Sequence, residues 1–159
     1  MFDKRKQDIL DKQDKSKKGG VDERVLELVE FINGLDDYYT TSSCSGRVLL
    51  IEKNEKRKDK AEWLYVTHGK ADAENVFDCL KSSGTVWFKM EAAILHICCR
   101  DIEAGERMLN LVRDKGFKRA GIICLSNRVI IELFGSDSME TLVVKDAGLV
   151  YTSGQLGLD

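Results

Sequence analysis

Apolar residues along this chain recur at helical spacing in some stretches and in alternation in others, and the changes of period mark out the elements. Val25, Leu28, Val29 and Ile32 form one stripe behind Asp22, a capping residue, and ahead of Gly34, a stop, which predicts a helix over Asp22 to Gly34. Phe2 to about Lys15 can also be helical, but Phe2, Ile9 and Leu10 are its only apolar residues, so it orders only against the body or a partner. Val48 to Glu52 and Glu62 to Thr67 read as strands, with the charged run between them as a hairpin tip. Ala73, Val76, Phe77 and Leu80 predict a helix over Ala71 to Ser82, and Ile102, Met108, Leu109 and Val112 another from Asp101 to about Lys115, stopped by Gly116. Thr85 to Glu91 and Ile94 to Arg100 alternate as a central strand pair. Lys118 to Leu125 and Arg128 to Leu133 form a hairpin around Ser126-Asn127, and Leu142 to Val144 a last short strand.

These elements predict a single α+β domain over residues 1–159, with residues 1–20 as a charged N-terminal arm. Its mixed, mostly antiparallel sheet has about six or seven strands, with three or four helices. A chain of 159 residues that is 43% apolar can bury one such core. No apolar run approaches the roughly 20 residues that span a bilayer, and the N-terminus is charged from Asp3 onward, so the expectation is a cytoplasmic protein without a membrane partner. Five cysteines, three of them in apolar runs, show no framework spacing, and structural disulfides are not expected.

The net charge of −2 argues against a protein that coats nucleic acid over its whole surface. Residues 1–20 nevertheless carry seven Lys/Arg against four Asp/Glu, and Glu52 to Lys60 five against three. These two patches, the first including Lys15, Lys17 and Lys18, can contact a few phosphates, or they are solvated faces that balance themselves.

Thr40 to Arg47 reads TTSSCSGR: six of its eight residues carry a hydroxyl or thiol, Arg47 adds a cationic fork, and Gly46 frees the backbone. Placed between a helix and a strand, the block has the make-up of a ligand-holding loop; a Ser/Thr turn satisfying its own backbone is the alternative. In Thr85 to Glu91, alternation sets Trp87, Lys89 and Glu91 opposite Val86, Phe88 and Met90; in Ile94 to Arg100 it sets His96, Cys98 and Arg100 opposite Leu95, Ile97 and Cys99. Lys89, Glu91, His96 and Arg100 are therefore expected to share a concave polar surface. Adjacent Cys98 and Cys99 point to opposite faces, so no metal site is expected from them with His68 and His96. Cys44, beside an Arg, is a weaker candidate nucleophile. No GxGxxG or GxxxxGK[ST] is present, which argues against a Rossmann methyltransferase.

FDKRKQ at Phe2 to Gln7, DKSKKG at Asp14 to Gly19, YYTTSSCSGR at Tyr38 to Arg47, WLYVTHG at Trp63 to Gly69, FKMEAAILHICCRD at Phe88 to Asp101 and GF at Gly116 to Phe117 occur in order. From Phe2 to about Leu142 the chain resembles the tRNA wybutosine-synthesising protein 3 family. The resemblance implies a fold that is not Rossmann and an enzyme that moves a methyl group from S-adenosylmethionine to the N4 nitrogen of 7-aminocarboxypropyl-demethylwyosine. That tricyclic base lies beside the anticodon of phenylalanine tRNA. The alternative is a non-catalytic module of the same fold that binds tRNA or a nucleoside. On the enzyme reading Ser43, Ser45, Gly46 and Arg47 hold the cofactor; His96, His68 and Glu91 are the candidates to handle the proton. Lys15, Lys17, Lys18, Trp87, Lys89 and Arg100 face the substrate or RNA, Trp87 by stacking ahead of Trp63. Ala92 stands where the family has Pro, the chain has no Pro at all, and the stretch after Leu142 reads shorter than the family's C-terminal portion. A monomer is the favoured state.

Overall fold

A computed structural model describes residues 1–15, 22–53, 61–81 and 84–150. The charged run expected at a hairpin tip, together with Lys17, Lys18 and the Lys15 side chain, lies outside the described residues. The chain divides into two compact units, one made of Met1–Ser45 and Ala92–Ser136, the other of Gly46–Glu91 and Asp137–Asp159. No helix among the described residues is long and apolar enough to cross a membrane.

The first unit carries β1 (Tyr38–Cys44), β5 (Ile94–Cys99), β6 (Ala120–Cys124) and β7 (Val129–Phe134) in the order β1-β5-β7-β6, every pair antiparallel. Helices α2 (Glu23–Gly34) and α4 (Ile102–Asp114) cover one face, where Ile32, Met108 and Val112 bury Ile97, Cys99, Ile131 and Leu133. Helix α1 (Phe2–Lys15) covers the opposite face, setting Phe2 and Ile9 on Tyr39, Cys98 and Ile130. The Asp caps foreseen in the sequence form and Gly116 acts as a stop, whereas α2 runs through Gly34 and ends at Leu35 in extended backbone. Asp22 accepts from the Arg24 N–H at 3.2 Å and Asp101 from the Ala104 N–H at 2.8 Å. Gly116, at φ +100°, stops α4 in a Schellman turn: the Phe117 N–H reaches the Val112 carbonyl and the Gly116 N–H that of Arg113, both at 3.0 Å.

The second unit is a sheet in the order β3-β2-β4-β8-β9, again antiparallel throughout, of β2 (Arg47–Lys53), β3 (Ala61–Thr67), β4 (Thr85–Glu91), β8 (Met139–Lys145) and the two-residue β9 (Gly148–Leu149). Leu50, Val86 and Val144 are buried on one face beneath Val76, Cys79 and Leu80, which belong to α3 (Ala73–Cys79) or follow it directly. α3 is shorter than its apolar pattern because Asp72 caps it late, accepting from the Asn75 N–H at 3.0 Å.

The α+β class, the antiparallel pairing and four helices agree with the sequence reading, but three expectations change. Among the described residues nine strands in two sheets replace six or seven in one, since β1 and β9 lack a strand pattern. Most of TTSSCSGR is strand β1, not a loop. The central pair does not pair: β4 joins the second unit's sheet and β5 the first's, so Lys89 and Glu91 belong to one unit and His96 and Arg100 to the other. The face of β5 expected to be polar is also half apolar core, for Cys98 is 2% exposed beneath α1.

A polar strand at a sheet edge needs partners for its outward donors. Thr40 is 1% exposed, and the β1–β5 register slips between Thr40 and Ser42. Asn33 of α2 answers with one oxygen, accepting from the Thr40 N–H at 2.7 Å and from its hydroxyl at 3.1 Å. Asn33→Ala therefore strands two buried donors, and we expect a loss of about 2 to 6 kcal/mol in urea unfolding, at roughly 1 to 3 kcal/mol per donor. Adding Thr40→Val, which removes one donor, should return about 1 kcal/mol.

Candidate functional site

Strand register gathers the polar groups of the second unit onto one face. Arg47 lies opposite Glu91, Leu49 opposite Lys89 and Ile51 opposite Trp87, while Lys89 also lies opposite Glu140 of β8. Arg47 Nε donates to Glu91 Oε2 at 2.5 Å, and its guanidinium stacks 4.7 Å from the centre of the Trp63 ring. Farther along the face Lys53 sits 4.8 Å from the Trp87 ring and 3.2 Å from Glu140, which Lys89 meets from the other side at 3.0 Å. Hydrogen bonds from Lys89 first, then Lys53, hold the Glu140 carboxyl below its usual range. Trp63, 51% exposed, offers an open indole surface beside the cation.

Each histidine has one ring nitrogen fixed as a donor. His68, just past β3, has Nδ1 3.1 Å from the Gly46 carbonyl. A carbonyl only accepts, so Nδ1 carries a proton and donates it. His96 on β5 is the mirror case: Nε2 donates to Glu132 on β7 at 2.8 Å. Glu132 went unnoticed in the sequence because only strand pairing puts it beside His96.

The block Thr40 to Arg47 splits its duties. Ser45 donates both its N–H, at 3.2 Å, and its hydroxyl to one oxygen of Asp22, tying the end of β1 to the cap of α2. Gly46 follows at φ +94°, a conformation that a side chain would strain. Ser43 faces an apolar slot between α2 and α4. Arg47 alone of the expected cofactor residues is already part of a charged and aromatic cluster, and Glu91, expected to handle a proton, is its ion-pair partner.

Trp87 and Lys89 share the face of Arg47 and Glu91, as alternation required. Arg100 is placed differently. Its Nε donates to Asp37 at 2.8 Å, its two terminal nitrogens to Asp3 at 2.7 and 3.2 Å, and one of them also to the Asp36 carbonyl at 3.0 Å. The guanidinium also lies 4.6 Å from the Phe2 ring. These contacts fasten α1 to the sheet. They hold the Asp3 carboxyl below its ordinary value, chiefly through the Arg100 hydrogen bond.

Comparison with known proteins places this arrangement among relatives. The family described as Methyltransferase TYW3 matches residues 4–158. The tRNA wybutosine-synthesizing protein 3 homolog of Danio rerio is 40% identical over 126 residues, covering 76% of this chain and 50% of that protein. The tRNA(Phe) 7-((3-amino-3-carboxypropyl)-4-demethylwyosine(37)-N(4))-methyltransferase of Methanocaldococcus jannaschii is 36% identical over 145 residues, 88% of this chain and 75% of that enzyme. The solved structure of PH1069 protein from Pyrococcus horikoshii superposes with a TM-score of 0.88 at 30% identity, covering 98% of this chain and 83% of that one. The chain thus spans about half the length of the vertebrate relatives it matches and more of the archaeal ones.

The Arg100 fastening predicts which thiol α1 protects. Arg100→Ala should speed alkylation of Cys98, which lies under α1, at mildly alkaline pH, while Cys99, buried on the other face under α4, keeps its rate. Equal acceleration at both thiols would mean general loosening instead. Because the Asp3 value is depressed in the folded chain, its contribution is complete above the ordinary value of 3.8 and is lost as pH falls through the lower folded-state value. Backbone amides of α1 should therefore lose exchange protection in acid before those of α4.

Proposed function

This chain belongs to the methyltransferase TYW3 family, and from that premise we propose that it transfers a methyl group from S-adenosylmethionine to the N4 nitrogen of 7-aminocarboxypropyl-demethylwyosine in phenylalanine tRNA. The observation that carries this reading is the 36% identity to the Methanocaldococcus jannaschii enzyme over 88% of this chain, which takes in the polar block, both histidine segments and Glu91.

The donor set of the second unit fits such a cofactor. A carboxylate calls for a guanidinium edge, an amino group for a carboxylate, and an adenine or a sulfonium for an aromatic face. Arg47, Glu91 and Trp63 supply all three within one ion-paired and stacked cluster. Arg47 Nε is engaged by Glu91, which orients the terminal nitrogens of the guanidinium for a carboxylate. Held by Arg47, Glu91 and Trp63, the cofactor would supply an electrophilic methyl carried on a sulfonium.

The chain's own residues then position the base and take up its proton. His68, held through Nδ1 by the Gly46 carbonyl in the same unit as Arg47 and Glu91, is the residue we propose to take up the proton released from the methylated nitrogen. Trp87, with Lys53 and Lys89 around Glu140, offers a stacking surface and cations for the nucleic acid. Ser45 and Gly46 act by carrying the backbone into Arg47.

The test is methyl transfer from labelled S-adenosylmethionine to phenylalanine tRNA isolated from cells arrested before this step, with nucleosides read by mass spectrometry. One methyl gained on the tricyclic base is the expected result. Arg47→Lys, which keeps the charge and loses the fork, should lower kcat/KM for the cofactor at least tenfold, or about 1.4 kcal/mol, without a matching drop in Tm. Cofactor binding without transfer would leave a binding module, and the absence of both would end the proposal.

A further inference from the structure

The stacking surface and the cations on the second unit's sheet are already taken in the resting chain. On β2, Ile51 lies opposite Trp87, and Lys53 follows two residues on along the same face. Its ammonium stands over the indole, 4.8 Å from the ring centre, and meets Glu140 Oε1 at 3.2 Å. Lys89, opposite Glu140 across the β4–β8 pair, reaches the other carboxylate oxygen, Oε2, at 3.0 Å. One carboxylate thus holds two lysines, an oxygen to each, beside an aromatic ring.

Folding does not call for this arrangement. The Lys53 and Glu140 side chains are partly open to water, where ion pairs add little to stability. Their effect is to occupy. A nucleobase cannot stack on the Trp87 face while Lys53 lies over it, and a phosphate meets two ammonium groups that Glu140 already neutralises. The carboxylate stands where the phosphate of a nucleotide would stand with its base on the ring. Hydrogen bonds from Lys89 first, then Lys53, favour its charged form, so the internal anion persists to lower pH than a solvated glutamate would.

We propose that Glu140 is an internal competitor for a nucleotide site made of Trp87, Lys53 and Lys89. The phosphate of a single-stranded RNA nucleotide displaces the carboxylate from the two lysines, and the base takes the Trp87 face that Lys53 leaves. This rests on reading the face as the one that meets tRNA. Opening the site breaks the same ion pairs whichever anion enters. A free phosphate recovers only the charge contacts, whereas a nucleotide also gains the stacking. When RNA leaves, Glu140 is at hand to retake both lysines.

Fluorescence anisotropy of a labelled single-stranded RNA hexamer with the full chain, without S-adenosylmethionine, tests the proposal. Glu140→Gln, a change of charge with little change of shape, should tighten binding about three- to tenfold, as when two exposed ion pairs no longer oppose it. The dependence of log K on log salt should steepen by roughly 0.7 for each lysine freed. A residue that merely supported the sheet would give the opposite sign, since its loss would weaken binding. Adding Lys89→Ala or Trp87→Leu to Glu140→Gln should cancel the gain. Unchanged or weaker binding by Glu140→Gln would overturn the proposal, as would a gain that survives both additions and so reflects net charge alone. A chain that shows the gain but transfers no methyl would end the transfer reading and leave this one standing; a chain that methylates its tRNA yet shows no gain would do the reverse.

Discussion

The double hydrogen bond from Thr40 to Asn33 is the constraint on which the first unit and its polar block depend. β1 is an edge strand made largely of Thr, Ser and Cys, and apolar burial alone would not hold it. Asn33 satisfies a buried N–H and a buried hydroxyl together, and so pins β1 to α2. Ser45 repeats the attachment at the far end of the strand by donating twice to Asp22. A strand secured at both ends holds its last residues in one conformation.

The second unit arranges charge against aromatic surface. Arg47 rests on Trp63 and Lys53 on Trp87, while Glu91 and Glu140 take the ion pairs. Beneath them Leu49 is fully buried. Such pairs are worth little to stability where they are exposed. Their effect is on order, since a guanidinium held by both a carboxylate and a ring keeps fewer conformations than a free one.

α1 shows how a weakly apolar helix can still have a fixed place. Two apolar side chains on Tyr39, Cys98 and Ile130 would hold it poorly by themselves. Arg100 adds Asp3 to the attachment, and Arg5 and Lys6 donate to the Asn127 and Leu35 carbonyls. Tyr39 lies at the centre of this layer, fully buried, and burial pushes its phenol up to about 12. The side of β5 that alternation marked as polar is therefore core near Cys98 and partly open near His96.

By itself the sequence determined what repeats locally. Helical stripes behind Asp caps, the Gly116 stop, alternation along β4 and β5, and the ordered motifs that place the chain in its family were all legible, because each depends on neighbours within a few residues. Tertiary structure alone decided which strands pair, and so that β4 and β5 belong to different sheets, that TTSSC is an edge strand, and that Arg100 fastens a helix. It also decided the partners of the site residues: Glu91 for Arg47, Glu132 for His96, Asp22 for Ser45. Each of these rests on a bond between residues at least 23 positions apart, whose energy comes from satisfying a buried or charged group. Local pattern carries no record of which distant group will do so.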